Sequence, residues 1–342
     1  GIIVLSLAIL PVLGIGGMQL FIAEVPGPTP DKLHPRVTET AKRLWGIYII
    51  FTTVELVLLF AGGMPLFDSV CHSFTTMATG GYSTKQASIA YYNSPYIHYV
   101  ITIFMFIAGV NFTLSYFSLH NKFNKVWNNE EFRTYLFLTL AFTIVIAVGL
   151  FFTTNNNPEK CFRDALFQVV SITTTTGYAT ADYLLWFPFL TFLIFMLMFV
   201  GGSAGSTGGG IKVVRVMLMF KNSLLELKRL IHPNAIIPVR LNKQGVPSPI
   251  VINILAFIAV YLAMVFLGMT VLSTMGYNLE TSVGAVAATL GNIGPGIGAV
   301  GPVENYAHFP VFGKWFLSFL MLIGRLELFT VLVLFTPTFW KE

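Results

Sequence analysis

Charge is scarce in this 342-residue chain: Asp, Glu, Lys and Arg make up 10% of it, against 55% hydrophobic residues and a mean hydropathy of +0.75. Soluble domains carry about 25% charged residues, so lipid is the expected surrounding. Cysteine is nearly missing too. Cys71 and Cys161 show no CxxC or Cys/His spacing, which argues against a disulfide framework or a zinc site and leaves them as small buried apolar residues. The apolar segments hold no paired carboxylates, no metal cluster and no nucleophile beside a base, so an enzyme is not expected. The one Gly-rich stretch lacks the Gly-Lys-Ser/Thr end of a phosphate loop. A basic signal-peptide start is also lacking, and Gly1 to Ile22 reads as an apolar helix that closes an earlier unit, so a further N-terminal portion is expected.

What the chain does have is apolar runs of about 20 residues, the length a helix needs to cross ~30 Å of hydrocarbon. They are Leu44 to Gly62, Ile97 to Tyr116, Tyr135 to Phe152, Leu190 to Val200 with its flanks, Val251 to Leu272 and Phe312 to Phe335. Backbone polar groups in lipid must be satisfied within each segment, which predicts an all-α polytopic bundle. The net charge of +5 could suggest nucleic acid as a partner, but the basic residues follow topology instead. Lys32, Arg36, Lys42 and Arg43 share one connection, Lys122, Lys125 and Arg133 a second, and Lys212, Arg215, Lys221, Lys228, Arg229, Arg240 and Lys243 a third. The positive-inside rule makes those connections cytoplasmic.

One unit recurs three times: a long apolar helix, a shorter semi-polar segment ending near Gly, and another long apolar helix. The short segments run Phe67 to Thr84, Phe162 to Thr180 and Leu279 to Gly294. Too short to span, they predict re-entrant helices that enter and return on the side poor in Lys and Arg. Each unit starts and ends on the same side, so the repeats run parallel. A sodium-coupled symporter with broken helices around an organic substrate, the alternative reading, predicts inverted repeats instead.

Rings of backbone carbonyls can replace the hydration shell of a cation without burying a formal charge, and glycine permits the backbone turn this needs. The candidate oxygen-bearing positions are Ala78, Thr79, Gly80 and Gly81; Thr175, Thr176, Gly177 and Tyr178; and Thr289, Leu290, Gly291 and Asn292. The preceding short helices would aim the negative ends of their dipoles at the same point. A lone Thr-Gly more often serves close helix packing; recurrence in three matched places favours a filter. Asp68, Asp164 and Glu280 open the short helices, where they suit the positive dipole end or attract cations. Between them, Gly201-Gly202-Ser203-Ala204-Gly205-Ser206-Thr207-Gly208-Gly209-Gly210 interrupts a closing helix, and such backbone is tolerated only inside protein or beside water. A passive hinge is the bland alternative to a gate. Arg325 lies within the last apolar run, where charge usually marks a functional path; Glu327, two residues on, faces another side of a continuous helix. Glu55, also in a span, could pair across helices or relay protons, and His72 reads as a packing histidine.

These segments resemble the Trk/Ktr/HKT superfamily of potassium transporters, most closely its bacterial TrkH type, over the whole chain. The residues that carry the resemblance are Thr76 to Thr84, Thr173 to Asp182, Gly201 to Lys212 and Leu290 to Gly298. The resemblance implies helix, pore-helix, helix units arranged pseudo-fourfold around a central cation pore, with Gly80, Gly177 and Gly291 as filter glycines. It implies that Gly201 to Gly210 forms an intramembrane gate with Arg325 facing the pathway. Potassium would be the transported ion, without an organic cofactor. A homodimer, a cytosolic nucleotide-binding ring of TrkA type and the bacterial inner membrane complete the implied setting. The chain then divides into residues 1–43, closing a truncated first unit, and three pore units at 44–132, 133–249 and 250–342. No full Thr-Val-Gly-Tyr-Gly is present, so modest selectivity is expected.

Overall fold

The computed structural model describes residues 37–154, 157–235 and 237–340. The helix expected over Gly1 to Ile22 lies outside these residues. The first described unit comprises α1 (Val37–Ala61), the short α2 (Leu66–Met77) and a bent closing pair, α3 (Pro95–Ala108) and α4 (Phe112–Leu119). After α5 (Phe123–Trp127), the second comprises α6 (Glu130–Thr153), α7 (Pro158–Thr173) and α8 (Pro188–Leu197). The amphipathic α9 (Val213–Ile231) leads to the third, formed by α10 (Ser248–Thr274), α11 (Leu279–Gly291), α12 (Val311–Arg325) and α13 (Leu328–Leu332).

Among the described residues three helices are long and apolar enough to cross a membrane, within α1, α6 and α10, or up to five if each bent pair counts as one span. Their surfaces suit lipid. On α6, Phe137, Ile144 and Phe152 are exposed while Thr139 and Thr143 are buried with Ile146 and Leu150, the reverse of a water-facing helix. Close packing supplies the cohesion there. A Cβ on Gly268 of α10 would stand 2.8 Å from Val286 of α11, so only glycine lets these two approach so closely.

Opening and closing helices of each unit meet at one end. Tyr96 of α3 reaches the Leu58 carbonyl of α1 at 3.3 Å, Leu190 of α8 packs on Gly149 of α6, and Gly313 of α12 lies beside Met275 after α10. The short helices start from that end. At about 1.5 Å per residue, none of α2, α7 and α11 matches the ~30 Å of a bilayer core. Proline at the first helical position starts α7 at Pro158, earlier than the sequence suggested. Glu159 therefore occupies the first turn, and Asp164 sits in the second.

Two expected spans are broken. The run Ile97 to Tyr116 bends by 110° between α3 and α4, and Phe312 to Phe335 bends by 116° between α12 and α13. At the first break Asn111 caps α4 by accepting from the Thr113 N–H at 2.7 Å. The carbonyls it frees are taken by a distant loop: Thr207 N–H donates to Ala108 and Ser203 N–H to Gly109. At the second break Glu327 adopts φ +64°. The expected Pro-rich link after α9 also contains a tight hairpin, β1 (Arg240–Leu241) and β2 (Gln244–Gly245), turning through Asn242 and Lys243, both with positive φ.

Candidate functional site

Each short helix ends in the same turn. Ala78, Thr174 and Gly291 close the helices, and the next residue takes a left-handed conformation: Thr79 at φ +52°, Thr175 at +58° and Asn292 at +57°. The N–H groups of Gly80, Thr176 and Ile293 then turn back to the carbonyls of Thr75, Ser171 and Ala288. A glycine with positive φ follows in each copy, at Gly81, Gly177 and Gly294. Those three are therefore the equivalent glycines. Gly80 lies one residue before its counterpart, and Gly291 is the last helical residue of α11, three before Gly294. Aligning the copies backward from Gly81-Tyr82, Gly177-Tyr178 and Gly294-Pro295 would have found the register; anchoring on Thr-Gly hid it.

The three tips abut in chain order. A Cβ on Gly81 would stand 1.8 Å from the Thr176 carbonyl oxygen, and one on Gly177 would stand 1.8 Å from the Ile293 oxygen. Tyrosines brace the contacts. The Tyr178 hydroxyl donates to the His72 carbonyl at 3.3 Å and meets the Thr75 hydroxyl, while Tyr183 donates to the Gly296 carbonyl at 2.7 Å. Thr75 and Ser171, equivalent in position, donate to the carbonyls of Tyr82 and Tyr178, holding the outgoing strands. Ala288 cannot do so in the third copy; there the Tyr306 hydroxyl donates to the Gly294 carbonyl at 2.7 Å.

A cavity of about 620 Å³ runs along the tips. Of the expected positions, Ala78, Thr79, Gly80, Gly81, Thr176, Gly177, Thr289 and Asn292 line it, joined by Ile293 and Gly294. Thr175, Tyr178, Leu290 and Gly291 stand behind this lining. The carbonyls of Thr79, Gly80, Thr176, Asn292 and Ile293 accept no hydrogen bond among the described residues. Together with the negative ends of three helix dipoles, these oxygens can replace water around a cation.

Beneath the tips lies the Gly-rich loop, held by all three units. Thr79 Oγ1 donates to the Thr207 carbonyl at 2.8 Å, Thr175 Oγ1 accepts from the Gly209 N–H at 2.6 Å, and a Cβ on Gly209 would be 2.7 Å from the Gly291 oxygen. The Ala204 N–H is bound by Glu131 at 2.6 Å, Phe112 N–H donates to Gly205, and Gly201 N–H to Ile211. Lys212 closes the loop on the Gly208 carbonyl. Gly202, Ser203, Ala204, Gly208 and Gly209 are buried, whereas Ser206 and Gly210 are half-buried. Arg325, at the end of α12, lines the cavity and donates to the Thr207 carbonyl at 2.8 Å. Because the helix breaks just after it, Glu327 turns away and pairs with Arg215 of α9, 2.7 Å off.

At the end of the bundle where the hairpins enter, Asp68 accepts from Thr84 at 2.6 Å and Tyr92 at 2.7 Å, and lies 3.2 Å from Lys85. The Thr84 hydroxyl, ahead of Tyr92 and Lys85, holds the Asp68 carboxyl down at about 2 against the opposing effect of burial. His72 is satisfied, as expected: Nδ1 donates to the Asp68 carbonyl at 2.7 Å, which leaves Nε2 to accept from Ser83 at 3.0 Å.

A family model described as TrkH, cation transport protein, matches residues 1–342. The chain is 44% identical over 345 residues to the Trk system potassium uptake protein TrkH of Salmonella typhimurium, with all of this chain and 71% of that protein covered. The TrkH protein of Halomonas elongata is 42% identical over 344 residues, again with all of this chain and 71% of the relative covered. Among solved structures, the crystal structure of the potassium transporter TrkH from Vibrio parahaemolyticus superposes with a TM-score of 0.86 at 39% identity, over all of this chain and 70% of that one.

Proposed function

Because the chain belongs to the TrkH family of cation transport proteins, a multi-pass membrane transporter and not an enzyme, we propose that it takes up potassium along the cavity beside the three hairpin tips. The observation that carries this is the row of unpartnered carbonyl oxygens at equivalent positions of the tips, at the negative ends of three short helices. Gly81, Gly177 and Gly294 are the filter glycines in this reading, in place of Gly80 and Gly291. The relatives' names, potassium uptake proteins of a Trk system, support potassium as cargo; they lend nothing to the sodium-coupled symporter.

The loop Gly201 to Gly210 is the gate, and Arg325 is an electrostatic brake seated on it. The units divide as 44–132, 133–249 and 250–342, and with a further unit they surround the path pseudo-fourfold. The basic ends face the cytoplasm of a bacterial inner membrane, where a homodimer meets a nucleotide-binding ring of TrkA type, a setting supported by the basic-residue distribution and by the word "system" in the relatives' names. Rubidium uptake into proteoliposomes, with potassium, sodium and lithium as competitors, tests the reading. Competition by potassium well above that by sodium is expected; equal competition by all three sinks potassium selectivity, and no flux sinks transport by this chain.

A further inference from the structure

Glu55 is fully buried on α1, about 9 Å from the helix end, and neither carboxylate oxygen has a hydrogen-bond partner among the described residues. An ionised carboxylate so placed would have no compensation for its lost hydration. Its polar neighbour is the Thr76 hydroxyl, in the last turn of α2 just before the first tip. In this structure the Thr76 hydroxyl donates to the His72 carbonyl at 2.7 Å. With that bond kept, a hydrogen bond between the two has Glu55 as the donor, which only the protonated acid can be.

We propose that Glu55 is a neutral carboxylic acid that positions the first hairpin, donating through Thr76 into a chain of hydroxyls behind the tips. The chain continues from there: the His72 carbonyl accepts from Thr76 on one side and from Tyr178 on the other, and Tyr178 follows the tip glycine Gly177. One proton on α1 thus ties the lipid-facing helix to two adjacent tips. The titratable groups that face Glu55 are Tyr48 on α1 and Tyr178 from the second hairpin, and His72 and Cys71 of α2 lie beside Tyr178. From the closing pair, Tyr96 bonds to the Leu58 backbone and His98 to the Tyr92 carbonyl. Tyr99 bonds to Glu159, while Tyr116, beside His120, holds Arg43. No lysine or arginine from these helices pairs with Glu55 among the described residues.

The inference rests on the cation path proposed above, and its test has an arm that does not. Infrared difference spectra of the reconstituted protein at neutral pH, wild type against Glu55→Gln, should show a protonated carboxyl stretch that the variant lacks; its absence from the wild type overturns the proposal. In rubidium uptake with sodium competition, Glu55→Leu and Thr76→Val should each lower potassium over sodium discrimination about tenfold. Glu55→Gln, whose amide still donates, should hold most of it. Full discrimination in Glu55→Leu, or a loss in Glu55→Gln as large as in Glu55→Leu, overturns the positioning role. If Gly81→Ala in the same assay leaves discrimination untouched, the cation path itself is misplaced, and the infrared band still decides the state of Glu55.

Discussion

Thr79 and Arg325 share one acceptor: the threonine hydroxyl and the guanidinium Nη1 each stand 2.8 Å from the Thr207 carbonyl oxygen. A hairpin tip, the Gly-rich loop and a cationic side chain from the broken last span thus meet at one atom. Movement of the loop would release both at once, so the loop and the tip above it are mechanically joined.

Arg325→Ala should increase cation uptake. At an effective dielectric of about 20, a unit charge ~10 Å from a passing cation repels it by roughly 1.7 kcal/mol, about tenfold in rate. Initial rubidium uptake at matched expression measures this, and a decrease contradicts the brake. Removing several loop residues around Thr207 should raise flux as well, since it deletes both the obstruction and the acceptor. Unchanged flux in liposomes would count against the gate.

Gly81→Ala and Gly177→Ala should abolish selective uptake. Each added Cβ would fall 1.8 Å from the carbonyl oxygen of the next tip, where backbone has to shift, and left-handed φ costs an L-residue roughly 1–2 kcal/mol besides. Gly80→Ala should cost far less, because its nearest neighbour is the edge of the Tyr82 ring at 3.4 Å. Equal losses at positions 80 and 81 in potassium and sodium competition would undo the register assigned to the tips.

Much of this arrangement is legible in the sequence, for local reasons. Apolar run length separates spans from re-entrant helices, and a decapeptide with six glycines and no charge could not continue α8. The breaks are different. Ala108-Gly109-Val110-Asn111 stays nearly apolar, and what stabilises the bend is hydrogen bonding to Ser203, Gly205 and Thr207, about 95 residues away, which no local pattern encodes. The third tip was hidden because α11 continues through Leu290 and Gly291. A pattern anchored on Gly291 therefore stopped one residue short of the turn at Asn292 and three short of Gly294.

The Asp68 cluster should respond to acid in one direction only. A carboxylate held at about 2 in the folded protein, against about 4 when unfolded, contributes stability that is fully present above pH ~4 and is lost as the pH falls through about 2. Asp68→Asn should therefore lower the thermal midpoint at pH 7, by the equivalent of about 1–3 kcal/mol for hydrogen bonds to a charged group. The gap from wild type should shrink between pH 4 and pH 2. Thermal unfolding in detergent across that range checks it; a gap that widens in acid would contradict the sign.

Arg215 and Glu327 should prove coupled in a double-mutant cycle. Their charged atoms are 2.7 Å apart but out of line for a hydrogen bond, so the attraction is Coulombic, in a partly buried setting where the guanidinium also lies 3.8 Å over the Phe257 ring. Glu327→Gln would leave the guanidinium with its ring contact but no counter-charge, a loss on the order of 1–3 kcal/mol. The double variant Arg215→Leu with Glu327→Leu should lose much less than the two single effects combined, because no unpaired charge remains. The pair also fastens the break after α12 to the helix that follows the loop, so each single variant should loosen Arg325 and raise rubidium uptake. Additive unfolding energies, with uptake unchanged, would reduce the pair to a surface contact without a part in holding the gate.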